Sequence, residues 1–365
     1  MIVRLENVDF NSSTGPNCFA KKLAKHLIQA GHQVTSPHDH YDVALCFIED
    51  LNNLDGKKLY QRLDGIYFNT DFDYNLQNKN ILKTYKKAKG VIFQSEFNKE
   101  LTFKYFGNHD NWSIIHNGAD LELIQKIKPT KNSLLDKYDD VWSCASSWRP
   151  HKRLKDNINF FLENKGANAC LIVAGQPDYK IKEPNIFYAG NLDYEKLLSV
   201  YKRSKYLIHL AWLDHCPNVV VDARASGCQI VCSSAGGTKE VAGLDAIIVE
   251  EQQWDYKPTK LYEPPEMDFS KRLKNTYNTK YDMKEVADSY ISFMSESYTE
   301  TLGRPSSLVS SFPLLVLMPT TSMRPLSCFN IGKFICLILF PAPIKHNLII
   351  FTPLIFFQFL FINFM

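Results

Sequence analysis

Asp214 and Asp222 stand eight residues apart, and Pro217 lies between them at the head of a run that ends on Gly227. Ahead of them, residues 206–211 (YLIHLA) are short, apolar and bounded, the pattern of a parallel strand. Asp214 is therefore expected at the carboxyl edge of a strand, where open α/β sheets bind ligands. Proline suits a first helical turn because its missing N–H would have had no partner there, and glycine suits the position just past a helix end. The spacing predicts a helix of about ten residues whose free N–H groups, from Asn218 onward, can receive a diphosphate at the positive end of the dipole. Asp222 falls about a turn inside that helix, within reach of whatever the diphosphate carries.

A second chemical cluster is Ser147-Trp-Arg-Pro-His-Lys-Arg153. Its strand is expected to deliver Arg149 and Lys152 to a helix entrance, where the dipole is already positive. Two cations there need an anion or open solvent. The resemblance named below favours an anion held by Lys152 first and Arg149 next, and leaves Arg153 expected at the surface. A D-x-D, Asp71-Phe72-Asp73, fits an ordinary acidic turn and is given no metal role.

These residues resemble the retaining nucleotide-sugar glycosyltransferases of GT-B fold. The family signature of two spaced acids, a small-residue helix end, a strand and a Gly-Gly-x-x-Glu turn stands here as Asp214-x7-Asp222, Ala225-Ser-Gly227 and Gly236-Gly-Thr-Lys-Glu240. The resemblance implies that Asp214 holds hydroxyls of the donor sugar and Asp222 those of the ribose. It also implies that His215, Cys216, Pro217, Asn218 and Val219 form the donor-binding turn, and that Lys152 and Arg149 neutralise the departing diphosphate. Gly15 and Asn17 occupy the family's first glycine loop, and Asp64 lies near a strand end that approaches the reacting sugar. Both acids are Asp where the family has Glu, which shortens each by one methylene.

The implied activity is sugar transfer with retention from a nucleotide-diphosphate sugar, as co-substrate, to a glycan, lipid or small-molecule acceptor. UDP, GDP and ADP remain open as the nucleotide, and neither metal nor other cofactor is called for. A catalytically silent nucleotide-sugar-binding protein, or a phosphorylase or epimerase on the same fold, would keep the same donor features.

The rest of the chain supplies elements to position these groups. Short apolar runs are expected as strands at 1–5, 32–36, 42–48, 59–69, 90–95 and 112–116. After a Lys-rich linker at 126–137, more follow at 141–146, 169–175, 185–190, 227–234 and 246–250, the last of the second sheet. Helices are expected at 18–30, 79–89, 96–106 with Ser95 as cap, 194–204 and 283–302 with Asp282 as cap. Alternation that restarts after a linker implies α/β architecture in two Rossmann-like domains facing a cleft, an acceptor-side domain at 1–127 and a donor domain at 128–302.

Composition excludes other classes. The chain of 365 residues carries a net charge of +3, and residues 303–365 hold four basic residues and no acid, so the body is nearly neutral and offers no nucleic-acid surface. Nine cysteines are scattered without metal-ligand spacing and suit a reducing, cytoplasmic compartment. The tail from Gly303 is a different polymer, and its last 19 residues, 347–365, are uncharged. They are long enough to cross a hydrocarbon core, so the tail could anchor the protein to a membrane. Its prolines and abrupt onset favour instead residues translated from DNA that does not encode this protein.

Overall fold

The computed structural model describes residues 1–35 and 40–301, with side chains through residue 295. The end of the expected strand at Ser36 and the whole tail from 303 lie outside the described residues. Apolar strands separated by amphipathic helices build the first half: β1 (Ile2–Glu6), α1 (Gly15–Gln29), β2 (Gln33–Thr35), β3 (Val43–Phe47), β4 (Leu59–Leu63), α2 (Tyr74–Lys87), β5 (Gly90–Phe93), α3 (Glu96–Phe106), β6 (Trp112–Ile114) and α4 (Leu121–Lys126). All six strands are parallel, in the order β2-β1-β3-β4-β5-β6. β3 and β4 are buried along their whole length, as strands covered on both faces must be.

The second half repeats the scheme with β7 (Asp140–Ala145), α5 (Leu154–Asn164), β8 (Ala169–Ala174), β9 (Ile186–Gly190), α6 (Tyr194–Arg203), β10 (Tyr206–His209), α7 (Asn218–Ala225), β11 (Gln229–Ser233), α8 (Thr238–Val241), β12 (Ile247–Val249), β13 (Arg272–Lys274) and α9 (Met283–Thr301). Its order is β13-β12-β11-β10-β7-β8-β9. The sequence placed the last strand of this sheet at 246–250. The structure adds β13, antiparallel to β12, and its three residues are all exposed, so no apolar pattern marks it. The strand expected over 59–69 stops at Leu63, because Gly65 takes φ +143° and turns the chain.

Both sheets belong to one compact unit. The final helix returns to the first sheet: Met283, Val286, Ala287, Tyr290 and Met294 share a core with Phe19, Leu23, Leu45, Phe47 and Tyr60. Burying each of the Met, Val, Leu and Phe side chains among these contributes about 1.5–3 kcal/mol. Trp212, Leu213 and Ala235 of the second half pack among Phe68, Phe93 and Phe97 of the first.

Polar groups close the same seam. Ser95 caps α3 as its sequence predicts, accepting a hydrogen bond from Asn98 N at 3.1 Å. The next two N–H groups of that helix, on Glu96 and Phe97, donate to Glu240 of the second half at 2.7 and 3.0 Å. Glu240 is 1% exposed and also meets His116 Nε2 at 3.1 Å. Replacing Glu240 by Ala leaves two helix N–H groups buried without an acceptor. A loss of about 3 kcal/mol is expected, read as a lower urea midpoint at unchanged slope.

Candidate active site

Helix α7 begins after Pro217, which ends the turn from Asp214 and holds its own φ at −69°. Gly236 docks beside that turn with φ +84°, and Gly237 N donates to Asp214 O at 2.8 Å. A Cβ on Gly237 would stand 2.1 Å from His215 O and 2.6 Å from Ser95 Oγ, so only glycine fits where the two halves meet.

The Asp214 carboxylate has three partners among the described residues. Its Oδ2 receives Lys152 Nζ at 2.5 Å and His209 Nε2 at 2.9 Å, while Oδ1 accepts His215 N at 3.0 Å. Burial alone would raise its pKa, but Lys152 and His209 outweigh that and hold the carboxyl well below the usual carboxylate range. His209 is itself pushed down by burial, so a neutral ring donates Nε2–H to the ionised acid. Lys152 ends a 3-10 turn, Pro150–Lys152, that brings it up to the strand edge. Arg149, at the head of that turn, is exposed.

Arg153 corrects the sequence reading. Expected at the surface, it is 3% exposed, in the left-handed conformation at φ +54°. That turn aims the side chain inward, where it donates to Glu251 Oε1 at 2.6 Å and Pro265 O at 2.7 Å. Its charge therefore pins the loop after β12 rather than facing solvent.

Asp222 is 4% exposed and meets Lys22 Nζ of α1 at 3.1 Å; the same ammonium donates to Gly118 O at 2.7 Å. Burial raises the Asp222 pKa, with Lys22 opposing. Gly15 and Asn218 are brought together, Asn218 Nδ2 donating to Gly15 O at 3.0 Å. Asn17 shapes its own loop: it accepts from Asp9 N at 2.9 Å and donates to Thr14 Oγ1 at 2.9 Å. Cys216 O accepts Asn117 Nδ2 at 2.7 Å, and burial pushes the Cys216 thiol up to about 12. Pro217 is buried and Val219 half-buried. Of the acidic turn, Asp73 caps α2 by accepting Leu76 N at 2.9 Å.

Asp64 sits on the first sheet's side, its Oδ1 taken by Arg62 and Gln94. Arg62 is 1% exposed, lies 4.0 Å from the Phe19 ring centroid and donates to Asn117 Oδ1 and Tyr290 OH at 2.8 and 3.0 Å. Four residues the sequence did not assign thus organise the site: Lys22, Arg62, His209 and Glu240. Glu240 was visible as the end of the Gly-Gly-x-x-Glu turn, but nothing in that turn points to its partner helix.

Two Rossmann-like sheets, with the acid at a strand edge between a cation turn and a diglycine turn, define a protein of the GT-B fold. Residues 130–256 match the family described as Glycosyl transferases group 1, and that segment is a group 1 glycosyltransferase domain. Sucrose-phosphate synthase from Thermosynechococcus elongatus superposes with a TM-score of 0.52 at 12% identity, over 83% of this chain and 92% of that one. Anabaena Alr3699/HepE in complex with UDP and glucose does so with a TM-score of 0.55 at 14% identity, over 80% and 99%. Compared with curated proteins, the chain finds no match.

Two measurements test this electrostatic picture. Asp214 has a folded pKa below its unfolded value, so its contribution is present above about pH 4 and is lost as pH falls through the folded pKa. Lys152→Met removes the nearest cation, so the acid limb of the variant's stability curve should shift to higher pH. Lys22→Met leaves Asp222 buried and unpaired and is expected to cost about 3–5 kcal/mol, whereas Lys22→Met with Asp222→Leu regains most of it; urea titrations of the three variants decide.

Proposed function

We propose that the protein transfers a hexose from a nucleotide-diphosphate sugar to an acceptor with retention of configuration, without a metal ion, using residues 1–127 as the acceptor side and 128–302 as the donor side. The observation that carries this reading is the Asp214–Lys152 pair at the carboxyl edge of β10, beside the N-terminus of α7. An ionised acid there can hold sugar hydroxyls, and an ammonium on the same oxygen can turn to the diphosphate when the donor enters. Backbone N–H groups from Asn218 onward, with Arg149 at the open side, complete an anion site that stabilises the leaving group as its charge grows.

The Asp222 ribose contact belongs to this reading only if the Lys22 pair opens for the nucleotide. Lys152, by contrast, needs a side-chain rotation alone. Alr3699/HepE is described in complex with UDP-glucose, which makes UDP-glucose the first donor to try, followed by GDP- and ADP-linked sugars. Among the described residues no helix is long and apolar enough to cross a membrane. A cytoplasmic location, where such donors are available, is part of the proposal.

The test is turnover of a nucleotide-sugar panel with and without EDTA. Release of nucleoside diphosphate unaffected by EDTA, with an α-configured donor giving an α-linked product by NMR, is the expected result; strict manganese dependence or inversion refutes it. Lys152→Ala should lower kcat by about 10²–10³, the usual effect of removing one preorganised stabiliser of transition-state charge.

A further inference from the structure

The second sheet ends at β9, which pairs with β8 on one side and, among the described residues, with no strand on the other. The pairing is parallel, and Leu171 N donates to Asn185 O at 2.9 Å. Backbone groups of successive strand residues turn to opposite sides, so Ile186 and Tyr188 direct theirs to the open edge. The N–H of Ile186 is taken by Glu183 O at 3.2 Å, which leaves Ile186 O and both backbone groups of Tyr188 facing outward.

A cavity lies on each face of this edge, and both are open to solvent. One, of about 440 Å³, is formed by residues 180–184 with Ile186 and Tyr188. The other, of about 480 Å³, is walled by Leu134, Leu135, Phe187 and Ala189 among others, and also reaches Ile186 and Tyr188. Side chains alternate along a strand, so Ile186 and Tyr188 pack towards Ile158 and Phe161 of α5, whereas Phe187 packs with Leu135 and Ile172 on the opposite face. An unpaired edge with a recess on each face meets the needs of an added strand: main-chain bonds form along the edge, and successive side chains enter one recess and then the other. A small molecule would fill one cavity and use neither the edge nor the second cavity.

The rim of the site is basic. Lys180, Lys182 and Lys196 stand on the cavity walls against one acid, Glu183. Lys196 is matched by Asp193 at 2.7 Å, so the excess of positive charge lies at the start of β9, with the exposed Lys180 and Lys182. A second copy that added its own β9 would bring the same lysines. Residues 303–365 of this chain hold four basic residues and no acid, so their charge does not complement the rim either.

We propose that β9 is a docking edge, at which an extended acidic segment of a partner protein adds as an eighth strand to the seven-stranded sheet, its apolar side chains entering the two cavities in alternation. None of the lining residues belongs to the group around Asp214, so the docking edge does not rest on the transfer reading.

The probe is a set of fluorescent synthetic peptides whose apolar core matches the five residues of β9, one group flanked by Asp and Glu and an otherwise identical group flanked by Lys. Fluorescence anisotropy with the full chain should show about tenfold tighter binding of the acidic group, and Lys180→Glu with Lys182→Glu should reverse the preference. Both lysines are exposed, so the double variant keeps its fold. Methylation of the peptide N–H groups separates strand addition from simple charge attraction. Methylating one alternate set should weaken binding about tenfold, the worth of one or two main-chain hydrogen bonds, and methylating the other set should leave it unchanged. The Tyr188 amide should also exchange more slowly with deuterium when the acidic peptide is present. Equal binding of the two groups, binding of neither, or an equal effect of methylation at every position overturns the proposal. A dimer of the protein alone that protects the Tyr188 amide overturns it too, by giving the edge to a second copy.

Discussion

A charge taken out of water must be met by a partner, and in this protein several of the partners lie on the other sheet. Lys22 on α1 answers Asp222 on α7, and Glu240 at α8 answers the first N–H groups of α3. Each of these groups, left alone, would carry a desolvation penalty of several kcal/mol. The two sheets are therefore coupled by the need to satisfy ions, in addition to the apolar contacts of Trp212 and Leu213 with Phe93 and Phe97. Glycine permits that coupling, since at Gly65 and Gly237 a single Cβ would collide with His215 from either side.

Within the second half the same constraint arranges the charged groups. Asp214 is kept ionised by Lys152 and His209, and His209 is kept neutral by burial, so one acid holds a cation and a neutral donor on one oxygen. Were the cation to turn away, the carboxylate would still keep His209 as a donor. Asp222 is arranged differently: among the described residues its one charged partner within bonding distance comes from the opposite half, so any change in the fit of the halves reaches it directly.

Much of this was legible in the sequence. The central strands are short apolar runs between turn residues, and the helices keep a 3.6-residue period, so β3, β5, β7, β8, α3 and α6 fall within one or two residues of their expected places. Type and spacing also put Asp214 after the strand now seen as β10, Lys152 in a turn at a helix entrance and Gly236-Gly237 in a loop, and the structure places them so. What stayed hidden was long-range pairing. Lys22 and Asp222 are 200 residues apart, and Glu240 lies 144 from the helix it caps. Local rules of capping and periodicity reach only about four residues, so they could propose Ser95 as a cap but not its distant helper. Arg153 was misplaced for a related reason: a cation in a basic turn reads as solvated until the left-handed residue that turns it inward is seen.

The return of α9 to the first sheet has a consequence for how the protein is made. Arg62, held near the centre of the first half, donates to Tyr290 OH, and Tyr60 OH donates to Met294 O. When β6 leaves the ribosome, about 170 residues still separate it from that helix, on the order of ten to thirty seconds at ordinary elongation rates. Through that interval the nascent first sheet carries an uncovered apolar groove over Phe19, Phe47 and Tyr60, with a guanidinium inside it. The half made first is thus the half completed last, and the growing chain would be a client for chaperones that bind exposed apolar surface until its own closing helix arrives.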